Sequence, residues 1–360
     1  MRKFKKYSLV LTLFFSITIL KAQFSGYTFC NWDKITFNPK YVPTNDDTAI
    51  VFVSVRNYFP GKTEFMGYEL DSANTIRYFT IYFNRNKWIC VPRKNLEEAF
   101  IGTSKNKDLV VYGEGMGKEF PGDVDRATRL TRIYNVTTLM FDWPTYRPNL
   151  SGGKNYRKAR LQSTEVSKSF SALFSELEKI KSVVKTDSLK LSLLLHSLGN
   201  RLLKEMVINN FVSVKTKLFD NMVLNAPCVK KAGHRKWVEK LNIQDKIYLT
   251  RNNKDRTLNL ARLAGFTEQL GRHWGAPKAK NSVYLNFSPV LEKEHNYFLM
   301  TNVLARHPDI KAIYSDIFHN GTINFDNEKL FIKQNNSRVI TLKRPDTEGK
   351  DINIGISIGS

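Results

Sequence analysis

The chain has 360 residues with 42% hydrophobic content, enough for one large core with an accessory piece or for two ordinary domains, which excludes a disordered or fibrous protein. Lysine and arginine number 56 against 33 acidic residues, a formal charge of +23 that attracts anionic surfaces such as membrane head groups or envelope polymers. These basic residues are scattered without a zinc-finger, helix-turn-helix or RNA-binding signature, so nucleic acid is not an expected partner.

Residues 1–22 have the layout of an export signal: a basic start (MRKFKK), an apolar run over residues 7–20, and a small residue, Ala22, before Gln23. Cleavage before Gln23 is expected, with an uncleaved membrane anchor as the alternative. No later stretch approaches the roughly 20 apolar residues that cross a bilayer, so the mature protein is expected to be soluble or peripheral, in the periplasm, at the outer membrane or secreted. Export permits a disulfide. Cys30 and Cys90 are the candidate pair among three cysteines, the alternative being three free thiols, and Cys228 has no metal-type spacing to either.

Residues 23–106 form a β-rich segment expected to extend the main sheet. Residues 48–55 (TAIVFVSV), 76–84 (IRYFTIYFN) and 88–91 (WICV) are rich in β-branched and aromatic residues and read as antiparallel strands, the last two closed into a hairpin by Arg85, Asn86 and Lys87. From residue 107 to 334 buried strands alternate with helical stretches, the mark of a parallel sheet covered by helices. The strands fall at residues 109–112, 136–141, 191–196, 221–224, 246–250 and 282–286. The helices fall at 122–133, 163–184, 198–209, 235–241 and 258–270, with a closing helix at 296–305. Residues 144–155 read as a surface loop on the C-terminal edge of the sheet, where open α/β sheets bind ligands. The tail, residues 335–360, holds a strand at 337–342 and then polar residues. The fold class is therefore α/β, a mostly parallel central sheet with N-terminal antiparallel strands.

The chemistry concentrates at residues 189–206 (LKLSLLLHSLGNRLLKEM), where an apolar strand ends at His196, Ser197 and Gly199 follow, and an amphipathic helix begins. A sharp strand-to-helix turn presents a serine hydroxyl above the sheet and aims helix N-terminal amides at a developing oxyanion. The alternative is a serine that only caps its helix. A serine nucleophile requires a base and an acid from later loops. Asp255 follows the strand at 246–250, where the acid belongs, and His295 follows the strand at 282–286, where the base belongs. The turn Tyr112-Gly113-Glu114-Gly115-Met116-Gly117 can supply the second oxyanion donor, making the amides of Glu114 and Leu198 the expected pair. Tyr112, Trp143 and Tyr146 are candidate walls of an apolar pocket, with core packing as the alternative. No metal or organic cofactor is required.

These segments resemble a bacterial family of α/β hydrolases of unknown function whose members carry a His-Gly turn, a Phe-x-Trp-Pro strand end, a His-Ser-Met-Gly-Asn elbow and a late Gly-His-Ser-Tyr-Phe segment. The matching residues are Phe141-Asp142-Trp143-Pro144, His196-Ser197-Leu198-Gly199-Asn200 and Glu294-His295-Asn296-Tyr297-Phe298, within residues 48–305. The resemblance implies the α/β-hydrolase fold and a triad of Ser197, Asp255 and His295, with Tyr112 standing where the family has histidine and Leu195 where it has a smaller residue. The expected function is an exported esterase or acyl hydrolase acting on a small-molecule or lipid ester, with peripheral contact to an anionic envelope surface. A non-catalytic protein of the same fold, binding an envelope partner or anionic polymer, is the alternative.

Overall fold

Strands buried on both faces need no alternation of polar and apolar residues, and the segments at the centre of this chain have none. The computed structural model describes residues 30–344 except 105, 185, 213, 215 and 334–337; the export-signal reading of residues 1–22 and the end of the tail lie outside them. The strands are β1 (Ile35–Phe37), β2 (Thr48–Ser54), β3 (Arg56–Tyr58), β4 (Met66–Leu70), β5 (Arg77–Asn84), β6 (Lys87–Arg93), β7 (Leu109–Gly113), β8 (Thr137–Asp142), β9 (Leu191–His196), β10 (Phe219–Asn225), β11 (Gln244–Arg251), β12 (Ser282–Asn286), β13 (Phe331–Lys333) and β14 (Val339–Leu342). Every residue of β7, β8 and β9 is buried.

Twelve strands form one sheet in the order β1-β6-β5-β2-β8-β7-β9-β10-β11-β12-β14-β13. From β2 to β14 the neighbours run parallel, so their C-terminal ends share one edge. The strands β5 and β6 pair antiparallel, and β5 pairs antiparallel with β2, so this N-terminal hairpin continues the core sheet. Its turn places Arg85 and Asn86 at φ of 45° and 64°, the two left-handed positions that a tight hairpin requires. The pair β3 and β4 forms a separate two-stranded sheet that the sequence pattern did not reveal.

The helices are α1 (Leu96–Ala99), α2 (Phe120–Tyr134), α3 (Gly152–Val184), α4 (Asn200–Ile208), α5 (His234–Val238), α6 (Arg256–Gly265), α7 (Thr301–Arg306) and α8 (Pro308–Ser315). Three boundaries differ from expectation. The predicted loop at 144–155 ends early because α3 begins at Gly152, its entry held by Asn155, whose side chain bonds the backbone of Arg147 and Leu150. The helix expected to reach residue 270 stops at Gly265, where Phe266 takes a left-handed φ of 50°. The closing helix starts only at Thr301, and a new one begins with Pro308 in its first turn, a position that proline favours. The core clusters on both sheet faces and takes in Phe170, Phe174, Leu202 and Met206 from α3 and α4. Cys30, Cys90 and Cys228 are buried free thiols, and burial raises the pKa of each. Among the described residues no helix is long and apolar enough to cross a membrane.

Candidate active site

The last residue of β9 is His196, and the chain turns at once through a 3-10 turn, Ser197–Gly199, into α4. Ser197 takes φ of 52°, a region that few non-glycine residues occupy. The turn is tight enough to dictate its neighbours. A Cβ on Gly199 would lie 2.5 Å from the Gly113 carbonyl oxygen and 2.9 Å from that of Glu114, so only glycine fits there. A Cβ on Gly115 would lie 2.6 Å from Ser197 Cβ and 3.0 Å from the Leu198 amide nitrogen, which places the loop after β7 directly on the elbow. Asn200 secures the turn from below, its Nδ2 donating to the carbonyls of Leu195, Ser197 and Asn225, while the Cys228 amide donates to the Ser197 carbonyl.

Asp255 follows β11 and is fully buried. Its Oδ1 accepts from the Leu258 amide at 2.8 Å and so caps α6, while its Oδ2 lies 2.5 Å from His295 Nδ1. One carboxylate therefore holds both a helix start and an imidazole. The His295 loop is tied to the same place, since Asn252 Nδ2 donates to the carbonyls of Glu292 and Glu294. With Nδ1 on the carboxylate, Nε2 is the nitrogen left for chemistry. The His295 ring also packs against that of His196, centroids 4.5 Å apart, which brings it beside the residue preceding Ser197. Ser197 and His295 are both buried, at 6% and 8% exposed. The Ser197 hydroxyl makes no hydrogen bond with a described residue.

The Glu114 side chain enters a buried network. Its Oε1 lies 2.5 Å from His196 Nδ1 and accepts the Gly115 amide at 2.7 Å; its Oε2 accepts the Tyr112 hydroxyl at 2.5 Å and lies 3.6 Å from Arg126 Nε. Burial alone would raise the Glu114 pKa, but the His196 ring and the Arg126 guanidinium outweigh it and hold the carboxyl well below its ordinary range. Burial also lowers the His196 pKa against the pull of Glu114. On its other side His196 Nε2 lies 3.4 Å from the His295 carbonyl, so His196 links the loop after β7 to the loop that carries His295.

Two of the expected pocket walls are interior scaffold. Tyr112 is fully buried on Glu114, and Trp143 is 1% exposed with its indole N–H donating to the Glu114 carbonyl at 3.0 Å. Of the three expected pocket residues Tyr146 alone keeps partial exposure. Beside them Asp142, at the end of β8, binds Arg56 Nε through both oxygens at 2.7 and 2.9 Å. The bonds of Glu114 to His196 and Arg126 and of Arg56 to Asp142 escaped the sequence reading, because partners 12 to 86 residues apart leave no local periodicity. Among the described residues no group of three or more His, Cys, Asp or Glu side chains is placed to hold a metal ion.

Solved structures with a distant likeness include carboxyl esterase 2 from the mycorrhizal fungus Tuber melanosporum, at 10% identity over 84% of this chain and 96% of that one, with a TM-score of 0.38. Others are esterase B from Lactobacillus rhamnosis, at 12% identity over 88% and 98% with a TM-score of 0.36, and brefeldin A esterase, described as a bacterial homologue of human hormone sensitive lipase, at 9% over 86% and 83% with a TM-score of 0.36. No curated protein matches the chain. The sequence model of a family described as alpha/beta hydrolase of unknown function (DUF900) matches residues 92–281, a span that holds Ser197 and Asp255 and ends before β12. The chain, with its parallel sheet, its strained elbow after β9 and more than half its length matched, belongs to that family of alpha/beta hydrolases.

Proposed function

We propose that the chain is a serine hydrolase of esterase or acyl-hydrolase type, exported from the cell, with Ser197 as nucleophile, His295 as base and Asp255 as the group that orients the base. The observation that carries this reading is the buried Asp255–His295 pair standing on the edge where Ser197 is held at positive φ. In the cycle, His295 Nε2 takes the Ser197 proton as the oxygen attacks the ester carbonyl. The amides of Leu198 and Glu114 hold the resulting oxyanion. His295 then protonates the leaving alcohol, and water, deprotonated by the same nitrogen, releases the acyl group.

Labelling with a fluorophosphonate probe tests the reading: the wild type is expected to label and Ser197→Ala to stay silent. Equal labelling of both, or of neither, sinks it. A set of p-nitrophenyl esters of rising chain length then defines the acyl group. The second reading, a non-catalytic protein bound to an anionic envelope partner, is favoured by the unengaged Ser197 hydroxyl and by the Gly115 amide being taken up by Glu114. It predicts a silent wild type. Export is supported by the layout of residues 1–22, and a mature protein whose N-terminal sequence begins before Gln23, in the soluble cytosolic fraction, overturns it.

A further inference from the structure

Helix α6 turns its large apolar residues outward. Only Leu258 of its ten residues is buried, whereas Leu260, Leu263 and the following Phe266 are 57%, 54% and 95% exposed. Spaced three apart, they fall on one side of the helix and its cap. Single exposed leucines are ordinary on a surface, but three large apolar side chains on neighbouring turns mark a contact face. The face extends toward α3, because a Cβ on Gly265 would lie 3.4 Å from the Arg160 guanidinium and 3.5 Å from the Tyr156 ring, and Leu161 next to Arg160 is 72% exposed.

Cations gather beside it. Arg160 stands against Gly265, and Lys230 pairs through its backbone with Gln269, three residues after Phe266. Burial and the charges of Arg201, Arg160 and Lys230 lower the Lys204 pKa, while Glu205 pairs with Arg201 at 2.9 Å and Glu268 with Arg272 at 3.2 Å. A row of proud Leu and Phe side chains flanked by Lys and Arg has the composition of an interfacial helix on an anionic bilayer. The positive charge favours the same partner: of the +23 on the full chain, five come from Arg2, Lys3, Lys5, Lys6 and Lys21, which leaves +18 after residue 22.

We propose that this face docks the protein on an anionic lipid surface, with Leu260, Leu263 and Phe266 entering the head-group region and Arg160, Lys204 and Lys230 meeting lipid phosphates. The inference rests on the exposed face and its cations and holds whether or not the serine-hydrolase reading does. Since α6 starts one residue after Asp255, docking brings the C-terminal edge of the sheet toward the lipid.

Sedimentation with vesicles tests it. The purified protein is expected to pellet at low salt with vesicles of equal parts phosphatidylcholine and phosphatidylglycerol, and not with phosphatidylcholine alone. The triple variant Leu260→Asp/Leu263→Asp/Phe266→Asp, with wild-type circular dichroism and melting, is expected to partition at least about tenfold less. Lys204→Glu/Lys230→Glu weakens binding and its salt dependence, and Ser197→Ala binds as the wild type does whether or not the protein hydrolyses esters. A wild type that stays in the supernatant, a triple variant that pellets equally, or a wild-type dimer that the triple variant converts to monomer each overturns the proposal, the last assigning the face to a second copy of the chain.

Discussion

Glu114 accepts from the Gly115 amide, His196 and Tyr112 in the interior, so Glu114→Gln leaves donors there poorly matched. The expected loss is on the order of 1–3 kcal/mol near pH 7, read by chemical denaturation. The sign with pH follows from the depressed pKa. Its stabilisation is complete above the ordinary carboxyl value of 4.5 and is lost as pH falls through the lower folded value, so the gap between wild type and variant is expected to close only in that acid range. A gap that stays constant from pH 7 to strong acid contradicts an ionised Glu114. Asp255 offers a second residue-scale separation, because asparagine caps helices as well as aspartate does but cannot hold the imidazole in the same tautomer. If the triad reading is right, Asp255→Asn lowers kcat by about 10⁴, while Asp255→Ala also loses roughly 1 kcal/mol from the cap of α6.

The elbow is an element whose geometry opposes its own residue. At φ of 52° Ser197 sits where glycine is at ease, and the surrounding contacts from Gly113, Gly115 and Asn200 keep it there. Ser197→Gly is therefore expected to be more stable than Ser197→Ala by about 1 kcal/mol, with both silent toward a fluorophosphonate. Equal melting temperatures for the two remove the strain argument. Gly199→Ala should fail in the other direction, its methyl meeting the Gly113 carbonyl, with a loss of about 1–3 kcal/mol in denaturant titration.

Across the whole molecule, one buried ion pair joins the N-terminal strands to the hydrolase sheet. Arg56 of β3 binds Asp142 of β8 and also donates to the carbonyls of Gly67, Lys118 and Trp143. Its neighbour Asp123, 3.6 Å from the same guanidinium, has its pKa raised well above the usual carboxylate range by burial and by Asp142. Arg56→Met leaves Asp142 buried without its cation, and the expected loss is about 3–5 kcal/mol in a single transition, because β2, β5 and β6 share the sheet with the core. Two separate transitions in the wild type would show instead that residues 23–106 fold apart from the rest.

The strands from 109 to 286, the hairpin at Arg85 and Asn86, and the turn after His196 were legible in the sequence, since apolar runs, left-handed turn residues and a Ser-x-Gly between strand and helix are local signals. Two ends of α3 and α6 were misjudged where a side-chain contact or a left-handed cap, not propensity, sets the boundary. The places of Ser197, Asp255 and His295 in chain order were readable too. What only the tertiary structure decided is which partners those and other polar residues find: Asp255 with His295, Glu114 with His196 and Arg126, Arg56 with Asp142. These pairs are 12 to 86 residues apart, and a buried charge is stabilised by whatever the fold sets against it, a condition that no stretch of neighbouring residues encodes.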